Sequence, residues 1–188
     1  CREISFFIEN LSKWYVRRSR DRFKSKEEMD KKHAIQTLAY ALNNLSKVMA
    51  PITPFISEEV HLMFKEKNSV KESVHLEDWP KKDGKAIIKK LNKDMEITRE
   101  IVSRILEERE KAKITVRQPL TNAEVISPSK LNKEFIELIL EEVNVKKIEI
   151  IEIKDTKISV KLDTKTTKEL ELEGYYREVS RKIQALRK

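Results

Sequence analysis

The spacing of apolar residues changes once along this chain, near Lys113, and that change limits the folds open to it. Before it, Ile4, Phe7, Ile8, Leu11, Trp14 and Tyr15 recur at three- and four-residue steps. At 3.6 residues per turn this draws one apolar stripe along a first helix. Ile35, Leu38, Leu42, Leu45 and Met49 form a second stripe, ending at Ala50-Pro51, with the seam expected of a helix packed nearly antiparallel on its neighbours. Thr53 then reads as an N-cap with Pro54 in the first turn, and Glu58 and Glu59 suit the start of a third helix. That helix is expected to carry Ile56, Val60, Met63 and Phe64 inward. The polar stretch from Lys65 to Gly84 reads as a connection pinned by Trp79. The stripe of Ile88, Leu91, Met95, Thr98, Ile101, Val102 and Ile105 predicts a fourth, long helix to about Lys111, roughly 35 to 40 Å in length.

Beyond Lys113, Ile114, Val116, Val125 and Ile126 suggest extended segments around turns at Pro119 and Pro128, before a helical run from Leu131 to Val143. Ile148, Ile150 and Ile153, then Ile158, Val160 and Leu162, alternate near period two about a polar Lys154 to Lys157 turn. That pattern predicts a hairpin. Leu170 and Leu172 suggest an edge strand, and Tyr175, Tyr176, Val179, Ile183 and Leu186 a last amphipathic helix. The expected fold is mainly α: a four-helix bundle over residues 1–113, followed by a small α+β module over 114–188.

Composition removes several classes of function. Of 188 residues only two are glycine, Gly84 and Gly174, too few for a phosphate-cradling loop of the P-loop or dinucleotide kind. Cys1 is the one cysteine, which excludes an internal disulfide framework and any multi-cysteine zinc site and fits a reducing cytoplasm. His33, His61 and His75 are far apart and sit in no H-E-x-x-H motif, so each reads as structural rather than a metal ligand or base. Ser46, Ser57 and Ser127 lack a recognisable histidine partner. Glu107, Glu108 and Glu110 beside Arg109 and Lys111 read as helix surface. No catalytic and no metal-ligating residue is therefore assigned. No apolar run approaches the roughly 20 residues of a membrane span, so no membrane is expected as a partner. The chain opens with Cys1-Arg2-Glu3 inside a helical pattern and stops at Arg187-Lys188 without a helix-ending signal, which reads as part of a longer polypeptide.

Lys and Arg number 40 against 32 Asp and Glu, a net charge of +8, and the excess gathers at Arg17, Arg18, Arg20, Arg22, Lys24 and Lys26. On a continuous helix Arg17, Arg20 and Lys24 fall within about 60° of each other, opposite the apolar stripe, while Arg18 and Arg22 continue the stripe itself. Such a row suits phosphates of a nucleic-acid backbone, or is a solvated face balanced by nearby carboxylates. Trp14 suits stacking on an unpaired base or packing in the core. Arg117 and Gln118, before the turn at Pro119 at the junction of the two modules, can read phosphate or base edges; Arg117 can equally tie the modules together through a carboxylate.

Four segments carry a family resemblance: F-F-I-E-N-L-S-K-W-Y-V-R-R-S-R-D-R-F at 6–23, M-A-P-I-T-P-F-I-S-E-E-V at 49–60, S-V-H-L-E-D-W-P at 73–80 and K-I-T-V-R-Q-P-L at 113–120. In this order they resemble the C-terminal part of isoleucyl-tRNA synthetase, a class I enzyme, from about residue 3 to 126. The tail E-G-Y-Y-R-E-V-S-R-K-I-Q-A-L-R-K at 173–188 is similar to the archaeal and eukaryotic type, whereas 127–172 agree in layout alone. The A-P-x-x-P-F-x-x-E turn and the tryptophan before Pro80 also occur in valyl and leucyl synthetases. The combination of W-Y-x-R-R-S-R with V-R-Q-P-L favours the isoleucine enzyme.

The resemblance implies a helical anticodon-binding domain and a C-terminal junction module that bind isoleucine tRNA at its anticodon stem and loop. It implies ATP-dependent attachment of isoleucine by a catalytic domain of the same polypeptide, the catalytic and editing domains being partners of this stretch, with ATP and magnesium as cofactors of the full-length enzyme and none in this stretch. The H-I-G-H and K-M-S-K-S motifs of the catalytic domain are absent, as is a cysteine-rich C-terminal zinc segment. The alternatives are the equivalent domain of a valyl or leucyl synthetase, or a basic helical module that docks on an acidic protein.

Overall fold

The structure, a computed structural model, describes residues 1–64, 71–154 and 156–187. It is mainly helical with one small sheet, and it divides into two compact units, Cys1–Asp83 and Gly84–Lys188. The division falls thirty residues before the boundary expected at 113. The long helix expected to complete the first bundle instead groups with the sheet.

In the first unit α1 (Arg2–Asn10) runs without a break into a π-helical turn, Leu11–Val16, where the Arg17 N–H donates to the Ser12 carbonyl at 3.1 Å. The short α2 (Arg20–Phe23), α3 (Glu28–Met49) and α4 (Pro54–Leu62) follow. The Tyr15 hydroxyl donates to the Ala34 carbonyl at 2.9 Å, and Ala34 is fully buried, so the π turn is fastened to α3. Pro54 opens α4 as its sequence predicts. The Thr53 hydroxyl caps no N–H; it lies 3.5 Å from the Met49 carbonyl and 3.4 Å from the Ser57 hydroxyl.

The buried side of α4 differs from the expectation: Ser57 and His61 are buried, whereas Ile56 and Met63 are exposed. Their place is explained by the segment they meet. The His61 ring Nε2 lies 3.0 Å from the Lys71 carbonyl, and Glu58 accepts from the Ser73 hydroxyl and the Val74 N–H, both at 2.9 Å. Glu77 accepts from the Lys71 N–H at 2.7 Å and from Lys47 of α3 at 2.9 Å. Side chains that satisfy backbone groups, with buried Val74, therefore hold the connection from residue 71 onward. Trp79, 63% exposed, does not pin it. Residues 65–70 of the expected connection lie outside the described residues.

The second unit contains α5 (Lys89–Lys111), β1 (Leu120–Ser127), α6 (Lys133–Val143), β2 (Val145–Glu152), β3 (Ser159–Leu162) and α7 (Lys168–Leu186). Ile97, Ile101, Val102 and Ile105 of α5 form the core with Phe135, Ile139 and Val143 of α6 and with β1. The strand order is β2-β1-β3: β1 pairs parallel with β2, Val125 opposite Ile150, and antiparallel with β3, Val125 opposite Val160. The predicted hairpin is thus not formed, because β2 and β3 flank β1 and do not pair. Leu120, Ala123 and Val125 are essentially inaccessible, so β1 takes the centre. The α6 crossover then allows β2 to run parallel to it, which leaves β3 the opposite edge.

Two smaller expectations also change. Residues 114–118 form a tight turn rather than a strand, entered at Lys113 with φ 57°. Leu170 and Leu172 belong to α7, not to an edge strand, because the Thr167 hydroxyl accepts the Leu170 N–H at 3.3 Å and caps a helix there.

Candidate nucleic-acid interface

The basic segment does not lie on one continuous helix. The π turn changes the angular step, and Ser19 (φ −87°, ψ 6°) separates it from the four-residue α2. The even helical step that places Arg17, Arg20 and Lys24 in one row is therefore lost, although all three are exposed. The Arg17 Nε donates to the Lys13 carbonyl at 2.9 Å. Arg20 and Lys24 have no side-chain hydrogen bond or ion pair among the described residues.

Arg22 is committed to the fold. Its Nε lies 3.0 Å from both oxygens of Asp30, and its Nη2 lies 2.6 Å from one of them. Hydrogen bonding from this fork holds the Asp30 carboxyl below the usual carboxylate range. The bridge fixes α2 on α3, so the flanking Arg20 and Lys24 stand on a braced turn. Trp14, within the π turn, is half-buried.

Arg117 and Gln118 lie in the second unit and differ from each other. Arg117 is exposed, with Nη1 3.9 Å from Glu178 of α7, a long ion pair that lies within the second unit and does not tie the two expected modules together. Gln118 is turned inward: its amide nitrogen donates to the Leu170 carbonyl at 2.9 Å, and its Oε1 lies where a Cβ on Gly174 would stand.

Sequence reasoning missed what holds their turn. Arg109, read as helix surface, is 1% exposed; its Nη1 donates to the Thr115 and Gln118 carbonyls at 3.0 Å and its Nη2 to the Asn144 carbonyl at 2.9 Å. Asn144, in the left-handed region at φ 52°, donates from its amide to the Val116 and Arg117 carbonyls at 2.8 and 3.1 Å. Each carbonyl from Thr115 to Gln118 is thus held by one of two side chains. A signal was present: Arg109 lies four residues past Ile105 and seven past Val102, on the buried stripe.

The class this fold defines is a helical domain with an exposed, braced basic turn, followed along the chain by a small α+β unit. Among the described residues no helix is long and apolar enough to cross a membrane. The family model for the anticodon-binding domain of tRNA ligase matches residues 1–126. The isoleucine–tRNA ligase of Dehalococcoides mccartyi strain CBDB1 is 37% identical over 207 residues, covering 100% of this chain and 20% of that protein. The isoleucine–tRNA ligase 2 of Bacillus anthracis is 34% identical over 171 residues, covering 88% of this chain and 16% of its own length. The chain belongs to the family of anticodon-binding domains of tRNA ligases, and it spans about one fifth of the length of the first of these relatives.

Proposed function

We propose that the chain binds the anticodon stem and loop of isoleucine tRNA, with Arg17, Arg20 and Lys24 against backbone phosphates. Arg117 is a second phosphate contact, Gln118 orients its turn, and the open side of Trp14 takes a stacked base. What carries the reading is the pair Arg20 and Lys24, exposed and without a side-chain partner among the described residues, in a member of the anticodon-binding family. Permanently charged forks and ammonium groups on a braced turn gain by releasing counterions from RNA phosphates, with little ordering of the protein left to do. The reaction supported is attachment of isoleucine to that tRNA in the cytoplasm. ATP and magnesium are used in the catalytic domain of the same polypeptide, which with the editing domain holds the tRNA elsewhere and adds affinity through effective concentration.

The test is the affinity for an isoleucine tRNA transcript measured against salt. Log affinity should fall linearly with log salt, and Arg20→Glu and Lys24→Glu should each reduce the slope by about one. An affinity indifferent to salt, or to both variants, overturns the assignment of these residues. Stronger retention of a valine tRNA transcript overturns the specificity for isoleucine.

A further inference from the structure

Helices α3 and α4 leave an open groove between them of about 490 Å³. Its walls are Ile35, Tyr40, Met63 and Phe64, and its polar groups are the amides of Gln36 and Asn43. No lining side chain is charged. In a chain with 32 acidic residues, none occurs from Lys31 to Ser57, the stretch that supplies all of the groove but Met63 and Phe64. Tyr40 is 70% exposed, so its ring is accessible. The Asn43 Oδ1 is shut off from water and has no hydrogen-bond partner among the described residues. An acceptor buried in this way carries a desolvation cost that a donor on a ligand removes. A turn of the terminal amide, whose torsion is soft, brings it to the groove.

The charges around the groove narrow what fits it. Lys32, one turn before Gln36 on α3, is exposed without an ion pair among the described residues, and with Met29 it continues the groove as a shallower cleft. The acids of the same two helices are placed otherwise. Glu28, at the far end of that cleft, meets Lys31 at 3.8 Å, and Asp30 holds Arg22. Glu58 accepts from Ser73 and Val74, and Glu59, one turn before Met63, does not line the groove. A flat, uncharged heterocycle with donors and acceptors on its edge suits aromatic and aliphatic walls that carry two amides, and a phosphate attached to it suits Lys32. An apolar protein segment would leave both amides without partners.

We propose that the α3–α4 groove binds one unpaired nucleobase of the RNA, stacked on Tyr40 and hydrogen-bonded by Asn43, with Gln36 at its edge and its phosphate at Lys32. This rests on the tRNA-binding reading above and adds to it a site that reads a base, where the basic turn meets phosphates alike in any sequence. The test uses the 188-residue chain and an isoleucine anticodon stem-loop RNA in which each unpaired loop nucleotide is replaced in turn by an abasic one. Tyr40→Ala should lower the affinity about tenfold, as loss of one base–aromatic stack does, and Tyr40→Phe should restore it. Asn43→Leu should lower it about fivefold. Both losses should leave the circular dichroism and the salt slope of the parent unchanged, unlike Arg20→Glu and Lys24→Glu, because no phosphate contact is removed. In the parent one abasic position should cost about tenfold, and in Tyr40→Ala that same position should cost nothing further. Salt-sensitive binding at full affinity in both Tyr40→Ala and Asn43→Leu overturns the base site, leaves the role of the basic turn standing and gives the groove to a protein segment. Abasic losses that Tyr40→Ala leaves undiminished at every position overturn it as well. A chain that binds no RNA at all overturns the tRNA-binding reading together with the groove.

Discussion

Arg109 shows how much of this structure rests on single polar side chains. Its guanidinium is buried against three carbonyls, and burial pushes its pKa down from the ordinary arginine value. A planar fork can serve these acceptors at once where an ammonium cannot. Arg109→Met should cost about 3 kcal/mol in urea unfolding followed by circular dichroism, because it strands buried carbonyls as well as removing bonds. Arg109→Lys should recover less than half of that loss. In sequence the residue is one of a mixed-charge run, and only its continuation of the Val102 and Ile105 stripe sets it apart.

Glu58 and Glu77 give the same scale a pH dependence. Both carboxyls are held below the usual glutamate range, Glu58 first by the Val74 N–H and then the Ser73 hydroxyl, Glu77 first by the Lys71 N–H and then Lys47. Because the folded pKa is the lower one, the unfolded chain takes up protons first as the solution is acidified. The stabilisation is complete above the ordinary glutamate range and is lost as pH falls through that range and the lower folded values beneath it. Acid unfolding followed by tryptophan fluorescence should steepen in that window. A Glu58→Gln, Glu77→Gln variant should be less stable at neutral pH and show a shallower acid limb.

Among the elements, α7 depends on a close approach that needs glycine. A Cβ on Gly174 would stand 2.3 Å from the Gln118 Oε1 and 3.0 Å from its Cδ, while that amide bonds the Leu170 carbonyl. Gly174→Ala should therefore destabilise by about 1–2 kcal/mol, although alanine is the better helix former by about 1 kcal/mol. In a Gln118→Ala background the sign should reverse, and a double-mutant cycle reads the difference. Most elements were legible in the sequence. The stripes of α1, α3 and α5, Pro54 at the start of α4, and the run that becomes α6 have helical periods, and periods survive without knowledge of neighbours. Strand partners were not legible. Ile148 to Ile153 and Ile158 to Leu162 alternate as a hairpin would, and nothing local records that β1 lies between them.

On the scale of the whole molecule, each of the two units has its own core, and both tryptophans, Trp14 and Trp79, belong to the first. Tryptophan fluorescence thus reports one unit while circular dichroism reports both. Arg109→Met should bring forward part of the dichroism transition and leave the fluorescence midpoint where it was. A common shift of both signals would show that the units unfold together.

The sequence by itself determined the mainly helical composition, the basic segment from Arg17 to Lys26 and the family, since these depend on residue type and on spacing along the chain. Tertiary structure decided which charges were left over. It committed Arg22 to Asp30, buried Arg109 among carbonyls, turned Gln118 onto α7, and left Arg20 and Lys24 exposed. The physical reason is that a charge acquires its role from what lies within a few ångströms, and those neighbours come from residues distant in the chain.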